Sequence, residues 1–132
     1  MVRYEAQSPN LKDDFAGTLN VYAPNGAPSL PIDGYAFPSQ QDVLIVTMEV
    51  DGTPLRDSVD FQIWLYRIDS GNWVLWGDAG VVSVVAGTAA DTVEVRGYAV
   101  FADRVYVEVV SVTGTPTACN AWVFGATASR GV

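Results

Sequence analysis

The sequence predicts an all-β chain: a single-domain β-sandwich or jelly roll preceded by an extended, proline-rich N-terminal arm. Three observations carry this. Branched and aromatic residues fall in short apolar runs or in alternation at fairly regular spacing, enough for about seven or eight strands. No window has the 3.6-residue period of a useful amphipathic helix. Five of the seven prolines fall before residue 42, which divides an arm (1–41) from the sandwich proper (42–132). A propeller would need a repeat of about forty residues, and none is present.

In the arm, Pro9, Pro24, Pro28, Pro31 and Pro38 forbid a long helix and central-strand pairing, and Asn25-Gly26 and Asp33-Gly34 are turn pairs. Residues 18–22 (TLNVY) read as a short strand and 35–37 as a weaker one. Tyr4, Leu11, Phe15, Leu19 and Tyr22 want burial, so the arm lies along a surface. That surface is either its own domain or a neighbouring subunit or scaffold.

From residue 42 the chain is all strand. Residues 43–50 (VLIVTMEV) form a near-continuous apolar run, closed by the turn Asp51-Gly52-Thr53-Pro54. The stretch 59–78 (VDFQIWLYRIDSGNWVLWGD) is the centre of the molecule: two strands around Asp69-Ser70-Gly71-Asn72. Alternation puts Phe61, Ile63 and Leu65 on one face and Trp64, Tyr66 and Ile68 on the other. A two-residue turn pairs Ile68 with Trp73; a three-residue turn with a bulge at Gly71 pairs it with Asn72. Either way both faces are apolar, so one joins the core and the other meets something else. Runs at 81–86, 91–101, 105–112 and 117–124 complete the set. In the third of these, Val105, Val107 and Val109 share a face, with Tyr106, Glu108 and Val110 opposite.

Composition narrows the function. A hydrophobic content of 49% over 132 residues supports one sizeable core. The net charge of −8 argues against nucleic acid or an acidic membrane as partner. Histidine is absent, which removes the commonest general base and metal ligand. Cys119, the single cysteine, excludes an intramolecular disulfide and reads as a buried thiol. No run has the length of a signal-peptide core or a membrane span, so synthesis in a cytoplasm is expected.

Asp51, Asp57, Asp60, Asp69 and Asp78 sit beside turn formers and read as turn residues before a catalytic pair. Asp69, Ser70 and Asn72 lack the ligand periodicity of a calcium loop. Neither a nucleophile elbow nor a phosphate loop is present. The expectation is a non-enzyme with no metal and no cofactor. Arg67, Arg96 and Arg104 are expected to pair across ladders with acids such as Glu94 or Glu108. The aromatic set Trp64, Tyr66, Trp73 and Trp76 suits either a dry subunit contact or a sugar-stacking platform rimmed by Asp60, Gln62 or Asn72. Its aliphatic neighbours favour the dry contact.

Residues 102–127 (ADRVYVEVVSVTGTPTACNAWVFGAT), about a fifth of the chain, carry a D-R-V-x-V-x-V-x-x-V-T-G strand and turn followed by a small-residue strand. In this the chain resembles bacteriophage capsid decoration (cement) proteins. The resemblance implies a virion structural protein made in the host cytoplasm and seated on the capsid surface. It would be a homo-oligomer, commonly a trimer, bound to the major capsid protein. Trp64, Tyr66, Ile68, Trp73 and Trp76 would then form the oligomer or partner interface, and Tyr4, Leu11, Phe15, Leu19 and Tyr22 the capsid-facing arm. The alternative is a carbohydrate- or receptor-binding β-sandwich module such as a tail-fibre tip.

Overall fold

The computed structural model describes residues 2–8, 11, 27–30, 32, 34–36, 43–76, 80–87, 92–98 and 102–128. Among these residues there are nine strands, all paired antiparallel, and no α-helix. In chain order they are β1 (Val2–Gln7), β2 (Tyr35–Ala36), β3 (Val43–Asp51), β4 (Ser58–Arg67), β5 (Asn72–Leu75), β6 (Val82–Val85), β7 (Thr92–Tyr98), β8 (Ala102–Thr113) and β9 (Ala118–Ala128).

One sheet runs β1-β9-β3-β7 and the other β2-β8-β4-β5. β8 occupies one edge of β4 along its whole length. β5 and β6 therefore share the other edge, β6 against the first half of β4 and β5 against the second.

Alternation decides what is buried. Val59, Phe61, Ile63 and Leu65 on β4 are inaccessible, as are Val105, Val107 and Val109 on β8. They join Leu44, Val46, Met48 and Val50 of β3, and Cys119, Ala121 and Val123 of β9, in one cluster that both sheets share. Burying each large side chain of this set contributes roughly 1.5–3 kcal/mol, which is the main term holding the sheets together. Cys119 is inside, as a small apolar side chain in a core position.

The N-terminal segment departs from expectation. Residues 2–7 (VRYEAQ) form a strand that the proline-rich context concealed, pairing with β9 from Val2↔Ala128 to Gln7↔Phe124. Buried Ser8 continues the pairing: its N–H donates to the Val123 carbonyl (2.8 Å), and its Oγ accepts from the Val123 N–H (2.8 Å). Leu11 N–H then donates to the Ala121 carbonyl (2.7 Å), and the Leu11 side chain packs on the shared core. The described part of the first eleven residues thus lies along this chain's own sheet. The expected strand at 18–22 lies outside the described residues. The weaker one at 35–37 is β2, paired with β8 at Tyr35↔Val105.

Where the chain passes between the sheets, a buried carboxylate organises the connections. Asp57 has no exposure, and its two oxygens accept four hydrogen bonds. Oδ1 takes Arg56 Nε (2.7 Å) and Thr115 N–H (3.0 Å); Oδ2 takes Thr53 N–H (2.7 Å) and Arg56 Nη2 (3.1 Å). Its backbone carbonyl accepts from Ala86 N–H (2.9 Å), so one residue ties the β3–β4, β6–β7 and β8–β9 connections. Gly114 has a φ of 75°, and a Cβ there would collide with Asp57 Oδ1, so both backbone and space require glycine. The Arg56 hydrogen bonds, with the Thr53 and Thr115 amides and the Arg56 charge, hold the Asp57 carboxyl well below its usual 3.8 against the opposing effect of burial.

Candidate functional site: the outward face of the second sheet

The residues of β4 that alternate with the core set point outward: Asp60, Gln62, Trp64 and Tyr66. β8 places Glu108 beside Gln62, Tyr106 beside Trp64 and Arg104 beside Tyr66. On the other side, β5 sets Leu75 beside Trp64 and Trp73 beside Tyr66. The result is a graded surface, with hydroxyls and carboxylates at the Asp60 end and aromatic rings at the Tyr66 end.

The polar end satisfies itself. Ser83 of β6 and Ser111 of β8 both donate to the Asp60 carboxylate, bracketing β4 from its two neighbours. Trp64 Nε1 donates to Glu108 Oε1 (2.8 Å), which fixes the indole on the sheet. The aromatic end is a packed cluster. The Trp73 ring meets Tyr66 edge-on at 5.3 Å between centroids and Tyr106 at 6.2 Å, contacts worth about 0.5–1.5 kcal/mol each beyond their burial. Trp73 Nε1 donates to the Leu30 carbonyl (3.1 Å), and its six-membered ring lies so close to Gly34 that a Cβ there would collide with it. A piece of the proline-rich segment is thereby pinned to this face, while its own Leu30 and Ile32 side chains face solvent.

The hairpin turn takes neither expected form. Arg67 pairs with Asn72, leaving a four-residue loop of Ile68, Asp69, Ser70 and Gly71. Gly71, at φ 69°, donates its N–H to the Arg67 carbonyl (2.9 Å) and closes the loop. The Arg67 guanidinium grips the Asp69 carboxylate with Nε at 3.0 Å and Nη2 at 2.8 Å. That grip holds Asp69 below its usual range.

The sequence-derived interface set divides accordingly. Trp64, Tyr66 and Trp73 share the outward face, half-buried. Ile68 sits in the turn, 52% exposed. Trp76 is a correction: it follows Val74 in parity, its N–H donates to the Ile63 carbonyl (2.8 Å), and its side chain is buried in the shared core. Of the arm set, Tyr4 is opposite Ala126 in the β1–β9 ladder and Leu11 packs on the core; Phe15, Leu19 and Tyr22 lie outside the described residues.

Two of the three arginines expected to pair across ladders pair locally instead. Arg67 pairs with Asp69, and Arg104 with its neighbour Asp103 at 3.8 Å. Glu94 and Arg96 lie opposite Thr47 and Ile45 in the β3–β7 ladder.

Tyr106, Glu108 and Leu75 belong to the face and were not among the residues assigned to the interface from sequence. Their outward parity was legible, but the neighbour strand across which they meet Trp64 was not. The first sheet carries a second, smaller outward apolar group, in which Ile45 is buried against its ladder partner Phe124. Beside it, Glu49 Oε1 accepts from Asn120 Nδ2 (3.0 Å). No protein-family model, curated protein or solved structure matches this chain.

Proposed function

We propose that the chain is a non-enzymatic structural subunit of a phage virion, a β-sandwich that self-associates and is seated on the capsid through its major capsid protein. The observation that carries the reading is the outward face of the second sheet. Its aromatic side chains are packed and its indole N–H groups are spent on Glu108 and Leu30, which suits a dry protein contact better than a wet one. Exposed Leu75 and Ile68 at the same hairpin extend the apolar surface that a partner would cover. The decoration-protein likeness of residues 102–127 supplies the virion setting.

Light scattering at micromolar concentration is the first test. A mass above that of one chain is expected, and a monomer overturns the self-association on which the reading depends. Co-sedimentation with phage heads stripped of their surface proteins tests the capsid step. The rival, a carbohydrate- or receptor-binding module, is favoured by half-buried Trp64 standing beside Gln62 and Glu108. Tryptophan fluorescence titrated with oligosaccharides separates the two: no change is expected, and a saturable shift favours the rival.

A further inference from the structure

Every open sheet invites another strand at its edge, and proteins guard such edges with charge, proline, bulges or brevity. Three of the described edge strands carry such guards. β1 carries Arg3 and Glu5 and a register shift between Tyr4 and Ala6; β7 carries Glu94 and Arg96; β2 is two residues long. Asn72–Leu75 (NWVL) has no charge, no proline and no register shift, and it carries exposed Leu75.

We propose that β5 is the edge through which two copies of this chain join, strand against strand, about a two-fold axis at Val74. This names the surface for the self-association proposed above and rests on that part of it.

The ladder sets the geometry. Trp76 N–H goes to Ile63 on β4, and bonding direction alternates along an antiparallel strand. Asn72 and Val74 therefore also address β4, while Trp73 and Leu75 aim their N–H and C=O groups at the open edge. A two-fold pairing must match residues of equal parity, because paired side chains share a face. Centring it on Val74 sets Trp73 against the second copy's Leu75 and Leu75 against the second copy's Trp73. Both pairs are of the hydrogen-bonded kind, so the outward groups of the two strands satisfy one another completely.

The flanks are self-complementary as well. Val82 lies opposite Phe61, which puts exposed Val81 level with Gln62, three residues to one side of Leu65. Ile68 lies three residues to the other side. Since Val74 is opposite Leu65, the same two-fold brings Ile68 of each copy level with Val81 of the other, each about 10 Å from the axis. The operation covers exposed Leu75 on each copy and leaves Ile68 and Val81 at the two ends of the joined edge. The charges nearest the turn, Arg67 and Asp69, already neutralise each other, so these acidic chains meet without like-charge repulsion there.

Two variants test the pairing. Leu75→Lys places a charge on the edge while leaving the core untouched, and light scattering at a concentration where the wild type is dimeric is expected to return the mass of one chain, with unchanged circular dichroism. Val74→Cys sets two thiols in a close, non-hydrogen-bonded pair across the axis. It is expected to form a disulfide-linked dimer on a non-reducing gel at dilute protein, whereas Asn72→Cys, displaced along the strand, is not. A wild type that is monomeric overturns this proposal and the self-association reading together. An oligomer that Leu75→Lys leaves intact, or a Val74→Cys chain that does not cross-link, overturns the β5 edge alone and assigns association to another surface.

Discussion

Just before its first residue, β4 is preceded by a buried carboxylate whose every lone pair is used; just past its last, it enters a hairpin whose outer strand leaves backbone groups and a leucine facing water. The Asp57 junction closes the molecule on itself. It gathers Thr53, Arg56, Ala86 and Thr115 around one residue and leaves no room for a side chain at Gly114. The β5 edge (Asn72–Leu75), past the far end of β4, is uncharged and unguarded and carries exposed Leu75. Polar groups inside a protein must be satisfied by the chain itself, because burial forbids waiting for a partner. Apolar edges outside can be left for another molecule, because water tolerates them at moderate cost. The first arrangement is structural and the second is the place to look for function.

The contrast sets the order of expected effects on stability. Asp57→Leu removes the acceptor of four hydrogen bonds and strands Arg56, Thr53 and Thr115; it is expected to lower the urea midpoint more than any change below. Gly114→Ala combines a left-handed backbone with a collision against Asp57 and should cost about 2 kcal/mol or more by denaturant titration. Ser8→Ala leaves the Val123 N–H buried without its side-chain acceptor and should cost about 1–3 kcal/mol. Leu75→Lys should change stability by no more than about 0.5 kcal/mol, since the side chain is 46% exposed, yet abolish association. A Leu75→Lys chain that unfolds readily would erase the distinction between the two ends of β4.

Acid probes the same contrast. The folded Asp57 carboxyl is held below its usual 3.8, so the unfolded chain binds its proton more readily than the folded one. The stability this contributes is complete above about pH 5, where the unfolded carboxyl is also ionised. It is lost progressively as the pH falls below that value. Urea midpoints between pH 6 and pH 3 should therefore decline in the wild type. In Asp57→Asn the decline should be smaller; an equal decline would assign the acid sensitivity to other carboxylates.

Much of the β4–β5 region was legible without the structure. Strict alternation placed Phe61, Ile63 and Leu65 inside and Trp64 and Tyr66 outside, and Val105, Val107 and Val109 followed the same rule on β8. What failed was whatever depended on a turn or a distant partner. The four-residue loop at 68–71 reset the hairpin register, and the Arg67–Asp69 grip that braces it is a side-chain event inside the turn. Trp76 went to the core because strand parity carried past the end of β5 to the Ile63 carbonyl. β1 was not legible: VRYEAQ alternates, but six residues beside a proline-rich stretch are too short a signal to outweigh its turn and breaker residues.

By itself, then, the amino-acid order determined the all-β class, the inward and outward sides of each main strand, and the absence of histidine chemistry, because these follow from side-chain type and a period of two. Only the tertiary structure decided that β8 and β6 flank β4, that Trp73 reaches Leu30 and Gly34, and that Asp57 is the common anchor of three connections. Those facts join residues tens of positions apart, and the choice of which strands become neighbours belongs to the packing of the whole core.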